Sequence, residues 1–248
     1  MQKLVVLALL VAACKSSDGS ARGAPASGAS GASGASGASG APASGASTAA
    51  RPAATQSQGG TDDDALLEQA DRSRIQGDST APVWLVEVSD FQCPFCKQWH
   101  DRTYPDIVRE YIRPGIVRMA YVNFPLGQHQ HAMPAAEAAM CAAAQGRFWP
   151  MHDAIFNTQD RWAALPDARA VFDSLARTVG VDTASWRKCV SSGVTQKLIN
   201  ADRGRGLQAG VGSTPTFFVG SEPITGAAPI EEFRKAIERA RAKASTPR

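Results

Sequence analysis

Val83-Trp84-Leu85-Val86-Glu87-Val88-Ser89-Asp90-Phe91-Gln92-Cys93-Pro94-Phe95-Cys96 carries a buried strand straight into a pair of cysteines. Val83 to Val88 is apolar and β-branched and follows Ala81-Pro82, which reads as a strand with both faces covered. Behind it, Cys93-Pro94-Phe95-Cys96 opens a helix predicted to run to about Ile112 with a kink near Pro105, whose ring cannot continue the hydrogen-bond ladder. Cys93 then falls at the helix N-terminus, where free backbone N–H groups and the positive end of the dipole favour a thiolate. Cys96 lies one turn inside, near enough to close a short disulfide and less exposed. This spacing suits thiol–disulfide exchange, with Cys93 forming the mixed disulfide and Cys96 resolving it. A zinc knuckle would need a second Cys/His pair to complete a tetrahedron. Cys141 and Cys189 lack knuckle spacing, and His129-x-His131 makes a poor substitute, so no metal is expected.

Working outward, Asp64 to Ile75 reads as a helix with an acidic first turn, and Ile116 to Asn123 as a second strand. From about His131 to Gly210 nearly every segment is helical: Pro134–Ala144, Phe148–Asn157, Asp167–Val179, a helix capped by Asp182 and ended by Gly193, and Val194–Ala209. His129 and His131 are expected to cap or orient the Pro134 helix. Trp99, Trp149, Trp162 and Trp186 are expected to pack in the interior. Thr216–Val219 is a third strand, Ser221–Ile224 a turn and short final strand, and Pro229 starts a closing helix. Without the helical block, two strands and a helix followed by a hairpin and a helix remain, a small α/β unit.

The stretch Val86–Cys96 resembles the active-site segment of the DsbA-like thioredoxin superfamily. Val211-Gly212-Ser213-Thr214-Pro215-Thr216-Phe217-Phe218-Val219 resembles that family's cis-proline loop and following strand. The resemblance covers about residues 62–243. The resemblance implies an α/β thioredoxin fold with a helical insertion at about 127–212, acting without an organic cofactor on disulfides of exported proteins. It implies that Thr214-Pro215 is a cis peptide facing Cys93 and offers backbone groups to an extended substrate. Glu87, six residues before Cys93, takes the place of a buried acid that relays a proton to or from Cys96. Phe95 is expected to be exposed beside the sulfurs, in reach of substrate. Cys141 and Cys189 look like the structural disulfide some members carry in the insertion, the alternative being two buried free thiols. Closing that loop would stabilise by roughly 4 kcal/mol in the chain-entropy account. Disulfide donation is the preferred direction. Reduction or isomerisation, and a non-catalytic peptide-binding module, are the alternatives.

The N-terminal part reads as an address. Met1-Gln2-Lys3, the apolar run Leu4–Ala13 and Val11-Ala12-Ala13 before Cys14 resemble a lipoprotein signal, cut so that Cys14 carries lipid. The run is too short to span a bilayer, which takes about 20 residues. Residues 14–61, rich in Gly, Ala and Ser, are expected to form a flexible linker spanning roughly 35–40 Å as a coil. Residues 1–61 hold four basic residues and one acid, so the net +3 belongs there and 62–248 balances at 22 of each sign. A neutral folded part gives nucleic acid no reason to bind. Five cysteines fit an oxidising compartment once Cys14 is set aside for lipid. The expected setting is the periplasmic face of an envelope membrane, where cysteine-bearing exported proteins and a membrane redox partner would meet the chain. The absence of Asp after Cys14 leans toward the outer membrane.

Overall fold

The computed structural model describes residues 59–245. The expected signal, Cys14 and most of the expected linker lie outside them. Helix α1 (Gly59–Ser73) leads to the two-residue strand β1 (Ile75–Gln76), then β2 (Val83–Ser89) and α2 (Pro94–Arg102). A short helix α3 (Tyr104–Ile107), a turn of π-helix (Val108–Ile112) and β3 (Val117–Asn123) follow. The helical block is α4 (Ala132–Ala143), α5 (Phe148–Asn157), α6 (Gln159–Trp162), α7 (Arg169–Thr178), α8 (Thr183–Ser192) and α9 (Gln196–Gln208). Strands β4 (Thr216–Val219) and β5 (Glu222–Thr225) and helix α10 (Ile230–Ala244) end the described chain.

The five strands run in the order β1-β3-β2-β4-β5. β2 lies parallel to β3 and antiparallel to β4, with Glu87 opposite Tyr121 on one side and Phe217 on the other. Being central, β2 has both faces covered, which its unbroken apolar run requires. Val83 and Leu85 pack with Trp99, Phe217, Phe233 and Ile237 in one core. Within it the Trp99 and Phe217 rings lie 4.5 Å apart. Each such buried side chain contributes roughly 1.5–3 kcal/mol. On the other face, Val86 and Val88 pack with Phe124 and Phe218. Helix α9 closes over that face through Gly206, where a Cβ would sit 2.7 Å from the Phe124 ring. Glycine is required there by proximity.

In the insertion, α4 is buried on nearly all sides through Ala135, Ala136, Ala138, Ala139, Ala142 and Ala143. These small side chains let α1, α5 and α8 come close to it. Cys141 on α4 and Cys189 on α8 are joined by a disulfide, with Cα atoms 5.8 Å apart. The insertion does not form a separate core: Phe91, Tyr121, Cys93 and Cys96 belong to its apolar cluster. Buried polar groups add a second tie. Asp202 on α9 pairs with Arg74 and accepts from the Asn123 backbone N–H at 3.1 Å and its Nδ2 at 3.0 Å. Arg74 also donates to the Tyr121 carbonyl. Burial works against the Arg74 charge, but Asp202 and Asp71 outweigh it and hold the guanidinium ionised.

Several local readings are revised. Helix α1 ends at Ser73, and Ile75 turns away to pair with Ala120 on β3. The helix after Cys93 stops at Arg102 and restarts at Tyr104, with Pro105 in its first turn, where a missing N–H costs nothing. The short α6 carried no periodicity long enough to detect. Asp182 does cap α8, accepting from Ser185 N at 2.8 Å, and Gly193 ends that helix in the left-handed region. His131 holds the N-cap position of α4 without a side-chain cap, and its ring contacts the Leu165 carbonyl instead. His129 contacts Asp90.

Candidate active site

The extended backbone of Cys93 (φ −69°, ψ 124°) is the hinge at which β2 gives way to α2, with Pro94 in the first helical turn. A proline there has its φ already set for a helix. Asp90 shapes the approach: its carbonyl accepts from Cys93 N at 3.1 Å and its Oδ1 from Gln92 N at 2.7 Å. Its other oxygen, Oδ2, accepts from Leu126 N at 2.9 Å and contacts His129 Nδ1 at 2.7 Å. From the insertion, Gln159 Nε2 donates to the Phe91 carbonyl at 2.7 Å and the Cys93 carbonyl at 3.1 Å. The redox loop is therefore clamped from both sides of the molecule.

Cys93 and Cys96 are not bonded to each other, so the state described is the dithiol. Sequence spacing predicts an open nucleophile, but Cys93 keeps only 4 % of its surface and Cys96 none. The Thr214-Pro215 loop lies over it: the peptide between them is cis, and Cys93 Sγ donates to the Thr214 carbonyl at 3.4 Å. Pro94 and Phe95 are the exposed members of the motif, Phe95 at 59 %. The two thiols are driven apart in acidity. A hydrogen bond from Cys96 lowers Cys93 to about 6, helped by the N–H groups of Cys96 and Phe95, against the opposing effect of burial. Burial first, then the adjacent Cys93, pushes Cys96 well above the ordinary thiol range.

Glu87 sits on the same strand, fully buried, and neither of its carboxyl oxygens has a hydrogen-bond partner among the described residues. Burial pushes its carboxyl up to about 7, against weaker opposing effects of Ser89 and His100. Glu87 therefore favours its proton in the fold, and its folded pKa lies above the unfolded value. Its contribution to stability is complete below about pH 4.5, shrinks as pH rises toward 7, and levels off above that. Glu87→Gln should melt like the parent near pH 4.5 and gain roughly 3 kcal/mol by pH 8. Melting curves across that range would show a constant difference if the carboxyl were not protonated on folding.

The free dithiol, the buried carboxyl on the strand that leads into it and the cis-proline loop over Cys93 sit together in an α/β thioredoxin-like fold with a helical insertion. The chain matches the family model Thioredoxin_4, described as thioredoxin, over residues 69–239, and it belongs to that family. It is 33 % identical over 175 residues to Na(+)/H(+) antiporter NhaA 3 of Salinispora tropica, a match covering 70 % of this chain and 26 % of the antiporter. The chain thus spans about a quarter of that relative's length. It is 23 % identical over 171 residues to disulfide bond formation protein D of Bacillus subtilis, covering 66 % of this chain and 75 % of that protein. The crystal structure of Wolbachia pipientis alpha-DsbA1 superposes with a TM-score of 0.61 at 22 % identity, over 69 % of this chain and 92 % of that one, which establishes the shared fold.

Asp90 and Gln159 were not singled out by sequence. Asp90 had a local signal, standing between strand and cysteines. Gln159 had none, being 66 residues from Cys93. Gln159→Leu would leave the Phe91 carbonyl buried without its donor and should cost roughly 1–3 kcal/mol in denaturant unfolding. An unchanged midpoint would mean that the two hydrogen bonds do not hold the loop.

Proposed function

We propose that this protein is a thiol–disulfide oxidoreductase that donates disulfides to exported proteins, with Cys93 as the exchanging sulfur. The observation that carries this reading is a pair of free cysteines at one helix end, Cys93 at the N-cap under the cis Thr214-Pro215 peptide and Cys96 fully buried one turn inside. In the oxidised enzyme, a substrate thiolate attacks Cys93 Sγ, the Cys93–Cys96 bond breaks, and Cys96 leaves as a thiolate that takes up a proton. Glu87 is the proton donor we assign to that step, acting through solvent. A second substrate thiolate then attacks the substrate sulfur of the mixed disulfide and releases Cys93 as a stable thiolate. Two electrons and the accompanying protons pass to the enzyme, and a membrane redox partner takes them on. Thr214, Pro215 and Phe95 border the approach to Cys93 and are the surface we assign to substrate.

The acidity of Cys93 favours the reduced enzyme and so the donor direction. At pH 7, lowering a thiol to about 6 stabilises the dithiol by at most about 1.4 kcal/mol, equivalent to about 30 mV. The rest of any oxidising power must come from other differences between the two redox states. The Cys141–Cys189 disulfide supports an oxidising compartment. Among the described residues no helix is long and apolar enough to cross a membrane. We assign anchoring to a lipid on Cys14, with residues 14–61 as tether and the outer membrane as the preferred site. Palmitate labelling that survives Cys14→Ala would remove that assignment.

The deciding experiment is a joint measurement of Cys93 thiol acidity and dithiol potential. A thiol titrating near pH 6 with a potential above about −200 mV supports a donor. A potential near about −270 mV would make the protein a reductase instead.

A further inference from the structure

Away from the sulfurs, the redox helix and the insertion meet at a group of nitrogen and oxygen donors. His100 on α2 and His152 and Asp153 on α5 place one ligand atom each within 4.8 Å of one another. His152 Nδ1 lies 2.8 Å from Asp153 Oδ1, and His100 Nε2 lies 3.3 Å from the same oxygen. We propose that these three residues bind one divalent first-row transition ion, zinc being the best match, and so pin the helix that carries Cys96 to the insertion.

Chemistry and geometry both favour this choice. Tetrahedral zinc with bonds of about 2.0–2.1 Å separates its ligand atoms by about 3.3–3.4 Å, which the His100–Asp153 pair at 3.3 Å already matches, whereas the His152–Asp153 pair at 2.8 Å would open by about half an ångström on binding. Two imidazoles and one carboxylate suit zinc and its neighbours better than calcium or magnesium, which take oxygen. For His100 the outer contact is that of a ligand, whereas His152 Nε2 is buried without a hydrogen-bond partner among the described residues. His100 turns its other nitrogen, Nδ1, to Asp101 Oδ1 at 3.1 Å, and Asp101 is held by Lys97 at 2.8 Å. A carboxylate behind a ligating imidazole fixes its tautomer and raises its basicity. His152 is buried and approaches from within, whereas His100 and Asp153 line an open groove of about 660 Å³ with Tyr104, Trp149 and Gln76. That groove gives an ion its entry path and leaves room for a fourth, exchangeable ligand. The dithiol takes no part.

The test uses untagged full-length protein carrying Cys14→Ala, with Cys93 and Cys96 oxidised, so that no thiol can ligate, titrated with Zn²⁺ or Co²⁺ alone. One equivalent should bind, and X-ray absorption of the zinc form should show a nitrogen and oxygen shell with two imidazoles. Asp101→Ala should weaken binding about 10- to 100-fold, and His100→Gln or Asp153→Asn should weaken it further. The absorption measurement needs no variant, so a folding defect in any one of them does not blunt the test. Failure to bind stoichiometrically, a shell without two imidazoles, or affinity that survives both His100→Gln and Asp153→Asn would overturn the proposal and leave an ordinary hydrogen-bonded triad. None of these outcomes bears on dithiol exchange through Cys93.

Discussion

Cys93→Ser should reduce catalysed oxidation of a reduced test protein to the background rate, a loss on the order of 10³-fold or more. A hydroxyl cannot form the mixed disulfide, and among the described residues nothing nearby can replace it: Cys96 has no exposed surface, and burial holds its thiol protonated at neutral pH. Cys96→Ser should behave differently. Offered a client that carries a disulfide, its Cys93 thiolate would still attack one sulfur and expel the other as a thiolate, but the adduct would lack its resolving thiol and accumulate as a covalent complex visible on a non-reducing gel. Full activity in the Cys93→Ser variant would end the oxidoreductase reading. Equal trapping by both variants would end the division of labour between the sulfurs. A non-catalytic peptide binder would keep its affinity for unfolded chains in both variants and show no trapped adduct in either.

Asp202→Ala should cost about 3–5 kcal/mol, the usual penalty for removing one partner of a buried ion pair. Arg74 would keep Asp71 but lose its fully buried partner, and the Asn123 backbone and side-chain donors would lose their acceptor. In a domain of this size that corresponds to a fall in melting temperature of about 6–20 °C. Replacing both charges, as in Arg74→Met with Asp202→Leu, should recover much of the loss, because the expense lies in the orphaned charge. A small effect of the single substitution would mean that water reaches the pair and α9 is not anchored to β3 as described.

These two sites show how far local sequence reaches. The strand Val83–Ser89, the turn at Cys93 and the helix behind it were legible because a β-branched run, a helix start and a two-residue cysteine spacing are all short-range properties. The α/β order of elements and the alanine-rich α4 were legible for the same reason. Two misreadings were local competitions that sequence could not referee. Ile75 looked like the end of a helix until its pairing with Ala120 made it a strand. Pro105 marked a kink, but whether the helix would bend or restart depended on what packed against it.

What only folding decided lies at long range. Asp202 reaches Arg74 across 128 positions, Gln159 reaches Cys93 across 66, and His100 reaches Asp153 across 53. Glu87 is one carboxyl on an apolar strand until β3, β4 and the helices enclose it, and enclosure is what raises its proton affinity. Residue type and spacing specify backbone geometry, because dihedral preferences and helix ends act over a few residues. They leave burial and partnership open, because solvent is removed from a group only when distant segments arrive together.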